Sequence, residues 1–217
     1  MTDVTTLTVG VLGGTGPQGK GLALRWAKAG IKVIIGSRSA ERAATVAAEM
    51  DDGVTGMGNR ETAAAADVVL VAVPWEGHGE LLASLSNELA DKIVIDCVNP
   101  LGFDKQGPFA LPVAEGSAAQ QAEKLLPRSR VTAAFHHVSA VHLTDLSLTD
   151  VGIDVLVLGD DRNATDVVGA LADAVPGMRG IYGGRLRNAH QVEALTANLI
   201  AINRRHKAHA GIRITDV

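Results

Sequence analysis

Cysteine is nearly missing from this 217-residue sequence: Cys97 stands alone. No internal disulfide can form, so a reducing compartment is expected, and the cytoplasm is the straightforward reading. No uninterrupted apolar stretch is long enough to span a bilayer, which excludes a membrane helix. The opening MTDVTT has neither the charged nor the apolar region of a signal peptide. The Asn163-Ala164-Thr165 triplet fits glycosylation, but a cytoplasmic chain would not use it. No basic run stands out against a net charge of −4, which argues against a nucleic-acid partner. Repeats and low-complexity linkers are also absent. So are a catalytic triad and paired carboxylates at a telling spacing, and no obvious Lys or Asp is expected at a strand end to protonate a carbonyl.

What is present is enough apolar material, 47% of residues, for one sizeable core or a main domain with a small companion. The organising stretch is TVGVLGGTGPQGKG, residues 8–21. Leu7, Val9, Val11 and Leu12 form a β-branched apolar run, which predicts a buried parallel strand ending at Gly13. Gly14, Gly16 and Gly19 fit the Gly-x-Gly-x-x-Gly spacing. One glycine is expected to turn with positive φ, one to admit a diphosphate close to the backbone, and one to pack a helix against the strand. Pro17 suits a first helical turn, and Gly30 suits a stop. The N-terminus of that helix would present free N–H groups and a positive dipole end to an anion.

A second strand, Lys32–Ile35, ends at Gly36, Ser37 and Arg38, with Arg42 one helical turn later. An NAD-binding fold places a carboxylate about here for the ribose hydroxyl. A hydroxyl with two guanidinium groups suits a 2′-phosphate instead, which favours NADP over NAD.

The rest of the chain continues the alternation. Helices are expected over 40–50, stopped by Asp51-Asp52-Gly53, and over 59–66 with Asn59 as cap. A third strand is expected at 54–57 and a buried strand in VVLVAVP. A leucine-faced helix is expected over 79–90, strands over 92–97 and 130–135, and a helix over 117–126. Residues 100–116 read as a long irregular connection. Pro74 and Trp75 lie just beyond a strand's carboxyl end, where open α/β sheets bind ligands. His78 reads as solvated and Cys97 as core filler. His136, His137 and His142 do not make a metal set, since adjacent histidines diverge and no carboxylate or cysteine stands at ligand spacing. After residue 150 the pattern restarts with DVLVLGDD, a helix over 163–175, a turn or short strand at 180–184 and a long helix over 188–209. Val192, Leu195, Leu199 and Ile202 are expected on its buried face. The fold expected is α/β: a Rossmann-type doubly wound parallel sheet over 1–150 and a smaller C-terminal α/β domain over 151–217.

Taken together, GGTGPQGKGLALRWAKAG, GSR, VPWE, FHHVSA and LVLGDD resemble the F420-dependent NADP reductases over nearly the whole chain. That resemblance implies hydride transfer between the deazaflavin coenzyme F420 and NADP, in a homodimer whose partners are small-molecule cofactors. It implies that the C-terminal domain closes the deazaflavin cleft. By position, Thr15, Gly16, Pro17 and Gln18 would hold the diphosphate, and Ser37, Arg38 and Arg42 the 2′-phosphate. Val73, Trp75, Asn99, Pro100 and Ala140 would line the nicotinamide side, with His136 and Val138 facing the deazaflavin. Arg187, Arg204 and Arg205 are candidates for the F420 phosphate. The chain departs from the family pattern in two places. Gly77 stands where the family can carry a His, with His78 one place later, and Ser139 stands where a proline can occur. Such a transfer needs no protein nucleophile, so catalysis by positioning is expected, with His136 orienting the deazaflavin. The rivals are an NADPH-dependent flavin, imine or carbonyl reductase and a non-catalytic NADP sensor.

Overall fold

The computed structural model describes residues 2–50 and 53–217. β1 (Thr8–Leu12) leads into α1 (Pro17–Lys28), and β2 (Lys32–Ser37) into α2 (Ala40–Met50). β3 (Thr55–Gly58), α3 (Asn59–Ala65), β4 (Val68–Val71), α4 (His78–Ser84) and β5 (Ile93–Asp96) follow. A hairpin of β6 (Leu101–Asp104) and β7 (Gly107–Ala110) precedes α5 (Ala118–Leu125) and β8 (Arg130–Ala133). The chain closes with α6 (Ala140–Thr144), β9 (Ile153–Gly159), α7 (Arg162–Asp173), β10 (Met178–Gly184) and α8 (Ala189–His206).

Among the described residues, eight strands form one sheet in the order β10-β9-β8-β5-β4-β1-β2-β3. The run from β3 to β8 is parallel throughout, whereas β9 lies antiparallel to β8. Every loop leaving β1, β2, β4, β5 and β8 therefore opens on the same edge. The strands alternate between two apolar layers: Val9, Val11, Leu70 and Ile95 face one, while Leu12, Val69, Val71 and Val94 face the other. Helices cover both faces, which is why these strands read as continuous apolar runs. Among the described residues no helix is long and apolar enough to cross a membrane.

The sheet does not break at the boundary expected near residue 150. β9 and β10 extend it beyond β8, and one apolar cluster contains Val9 and Ile35 together with Val155 and Leu171. What changes there is strand direction.

Several local expectations are corrected. The helix expected over 79–90 stops at Ser84, and Leu85 and Leu89 reach the core from a chain of turns instead. The connection over 100–116 contains the β6–β7 hairpin. Asp104 closes it by accepting from the N–H groups of Gln106 and Gly107, and Gly107 takes φ +122°. Asn59 does not cap α3: Gly58 holds that position, and Asn59 Oδ1 is buried without a partner among the described residues. Gly53 has φ +75°, as a helix stop would, while Asp51 and Asp52 lie outside the described residues. Ile202 is exposed on α8, and Glu193 is buried in its stead.

A buried arginine ties the start of the fold to the segment after β8. Arg25 on α1 donates to the carbonyls of His142, Leu143, Asp145 and Leu148 at 2.7–3.0 Å. α6 is only five residues long and could not hold itself. Replacing Arg25 by Met removes the guanidinium donors from those carbonyls, of which Asp145 O keeps a backbone partner, Leu148 N, and should cost about 3 kcal/mol. In a chain of this size that lowers Tm by roughly 6–12 °C, as a thermal melt would record.

Candidate functional site

The turn after β1 is built as the glycine spacing implies, with one reassignment. The positive φ falls on Gly13, at +75°, and not on one of the three spaced glycines. Gly14 N donates to Val11 O and Gly36 O, both at 3.1 Å, and a Cβ there would lie 2.6 Å from that of Ile35. At Gly19 a Cβ would sit 3.0 Å from Gly14 Cα, so that glycine allows α1 to close on the strand. Gly16 is different: its added Cβ would meet only Gly13 O, at 3.4 Å. That side of the turn is open. Gly16 caps α1 with no side-chain bond, Pro17 follows, and the first turn carries no acidic residue. Such a helix start offers free donors to an anion. Thr15 is half-buried beside it. Gln18 does not point to that opening, because its amide donates to Phe135 O at 3.1 Å.

Ser37 ends β2 on the neighbouring strand. Arg38 and Arg42 are exposed and make no ion pair among the described residues, so both guanidinium groups can swing to a ligand. Val73 and Trp75 leave β4, and both are half-buried. Trp75 rests on the ring of His78, with centroids 5.5 Å apart and planes 33° apart. His78 is fully buried, which corrects its reading as solvated. Its Nε2 lies 2.5 Å from Asp96 Oδ2 and its Nδ1 3.0 Å from Gln121 Oε1.

Asn99 leaves β5 and donates to the His136 carbonyl at 3.0 Å, a carbonyl that Thr196 of α8 also bonds. Pro100 is buried next to it. Phe135 takes φ +66°, unusual for a bulky side chain and a form of strain found where a site over-determines the backbone. The three bonds from Gln18, Asn99 and Thr196 hold that turn. The His136 ring beyond it is 4% exposed, and neither nitrogen has a partner among the described residues. Burial pushes its pKa down to about 4, against the opposing charge of Asp96. The ring is neutral at pH 7. Val138 is buried, and Ala140, half-buried, begins α6. His137 points elsewhere, with Nε2 accepting from Leu156 N at 3.4 Å, while His142 packs edge-on against His209. Arg187, Arg204 and Arg205 are exposed.

Sequence reasoning missed His78, Asp96, Glu193 and Arg25. Glu193 on α8 accepts from the N–H groups of Ala118 and Ala119 at 2.9 and 3.1 Å, and borders a cavity of about 260 Å³ beside Pro100 and His190. Burial raises its pKa to about 7, against the pull of those two N–H groups. The folded chain thus binds a proton that the unfolded chain, with an ordinary value of 4.5, has released. Stability from this group is fully present below pH 4.5 and is lost as pH rises through 7. Glu193→Gln should gain stability relative to the parent from pH 4.5 to 7 and level off above, as read by urea unfolding at each pH.

Residues 8–100 match the family model described as NADP oxidoreductase coenzyme F420-dependent. The F420-dependent NADP reductase of Methanothermobacter thermautotrophicus is 41% identical, across 100% of this chain and 98% of that one. That of Methanocaldococcus jannaschii is 37% identical, across 97% and 99%. A solved structure from Arthrobacter sp. FB24 superposes with TM-score 0.82 at 24% identity, across 96% and 99%, and shows the shared fold. Identity of this order along the whole length places the chain in the family of F420-dependent NADP reductases.

Proposed function

We propose that the chain transfers a hydride, in either direction, between C5 of the reduced deazaflavin F420 and C4 of the nicotinamide of NADP. The observation that carries this is one sheet edge. It brings together the open helix start at Gly16, Arg38 and Arg42, which make no ion pair among the described residues, Trp75, and the buried ring of His136. The edge suits a dinucleotide with an extra phosphate at one end and a second ring system at the other.

Thr15, Gly16 and Pro17 then hold the diphosphate through the start of α1. Gln18 serves the same end at one remove, by fixing the Phe135 turn. Ser37, Arg38 and Arg42 take the 2′-phosphate. Val73, Trp75, Asn99, Pro100 and Ala140 line the nicotinamide side, and His136 and Val138 face the deazaflavin. The segment after residue 150 closes that side through α8, whose Thr196 steadies the His136 carbonyl. The deazaflavin supplies the hydride chemistry when bound; the protein supplies position and excludes water. A homodimer in the cytoplasm completes the reading, supported by the exposed Phe103 and Phe109 of the hairpin and the single buried thiol.

Mixing the chain with NADPH and oxidised F420, and separately with NADPH and free flavin, tests this. Loss of the deazaflavin's visible absorbance is expected. Reduction of flavin alone, or of neither, would overturn it. Within this reading the neutral His136 orients rather than transfers a proton. His136→Ala should lower kcat by about tenfold, short of the 10²–10⁴ that a proton-transferring group supplies. Complete loss of turnover with both cofactors still bound would contradict that role.

A further inference from the structure

The His78 cluster lies behind the site, not in it, and its hydrogen bonds determine its charge. Asp96 ends β5 fully buried, with Oδ1 accepting from Val98 N at 3.0 Å and Oδ2 facing His78 Nε2. Gln121 comes from α5. Its amide nitrogen is spent on Glu115 Oε2, at 3.3 Å, which assigns its oxygen to His78 Nδ1. Both ring nitrogens therefore face acceptors. A neutral imidazole has one donor and would leave a buried oxygen facing a lone pair; two acceptors call for two donors. The same ring lies beside the Trp75 indole, with centroids 5.5 Å apart and planes tilted by 33°, inside the distance at which an aromatic ring holds a cation.

We infer that His78 is a buried imidazolium that holds the Trp75 indole in place and so acts as a positioning residue for the nicotinamide half of NADP. The charged groups around it agree. Burial opposes the charge, but Asp96 from β5, then Gln121 from α5 and Glu193 from α8, outweigh it and raise the His78 pKa above its ordinary value. Fixing an aromatic wall before the cofactor arrives removes an ordering cost from binding. The inference rests on the reading that Trp75 lines the nicotinamide side, and its test separates the two.

Nitrogen-15 NMR of the imidazole rings, on the unaltered protein at pH 8, should find both His78 nitrogens protonated; a ring with one proton overturns the inference. His78→Gln should raise the KM for NADP about tenfold with kcat changed less than about threefold. In a Trp75→Leu background the same change should add nothing, because the effect passes through the indole. If Trp75→Leu raises KM and His78→Gln does not, or if their effects add, the positioning role fails while the site stands. If Trp75→Leu leaves KM unchanged, the placement of Trp75 fails and the inference goes with it. Should His78→Gln not fold, Gln121→Leu removes only the Nδ1 acceptor, and the second ring proton should then be lost by pH 8. Its retention would overturn the account.

Discussion

Arg38→Ala should weaken NADP binding by roughly 30- to 150-fold and leave NAD binding within about threefold. The magnitude follows from a charge-assisted bond to phosphate, worth about 2–3 kcal/mol, where each 1.4 kcal/mol is tenfold. The geometry explains why the loss is selective. β2 ends at Ser37 with no carboxylate, and Arg38 makes no competing ion pair among the described residues. Among the described residues no ion pair has to be broken before the guanidinium meets the extra phosphate. NAD lacks that phosphate and never gains the bond. The effect should shrink at high salt, since Arg38 is exposed. Parallel titrations with the two nucleotides measure it directly. An equal loss for both would mean that Arg38 supports the fold or the diphosphate rather than the ribose end.

The second large effect separates two glycines three residues apart. Gly13→Ala should destabilise the chain by about 2–5 kcal/mol, adding the left-handed penalty for an L-residue to overpacking. Gly13 holds φ +75°, and its added Cβ would collide with Ala72 O and come within 2.9 Å of Val73 Cγ1. At this chain length that is a fall in Tm of roughly 4–20 °C. Gly16→Val should instead melt within about 2 °C of the parent, because an ordinary backbone conformation and an open side await it. Its cost should appear in binding: at least about tenfold in NADP affinity, from a side chain at the mouth of the helix start. A Gly16→Val variant that binds normally would remove the turn from the site.

How much of this was legible follows the range of the interactions. β1, β4 and β5 announce themselves as short apolar runs, since burial on both faces leaves no other pattern. Pro17 and Gly30 mark α1 by local backbone chemistry, and Ser37 with Arg38 distinguished the nucleotide by charge alone. The failures are long-range. His78 sits among Glu76, Gly77, Gly79 and Glu80, a neighbourhood that reads as wet, and its partners lie 18 and 43 residues away. One signal was available: Asp96 closes the apolar run IVID, and a carboxylate buried there demands a partner. Arg25 gave no such hint, because its acceptors are backbone carbonyls about 120 residues on. The hairpin was hidden by Pro108 and by glycines that mark turns and strands alike. α6 is too short for periodicity to register. The continuity of the sheet past residue 150 depends on β9 pairing with β8, which nothing local encodes.

The account stands on both cofactors meeting at one sheet edge, and a crystal structure with NADP and F420 bound tests that most directly. The expected result is C4 of the nicotinamide and C5 of the deazaflavin roughly 3–3.5 Å apart, between Trp75 and His136, with the 2′-phosphate against Arg38. Reacting carbons held well beyond contact, or a dinucleotide lying away from the Gly16 turn, would contradict it.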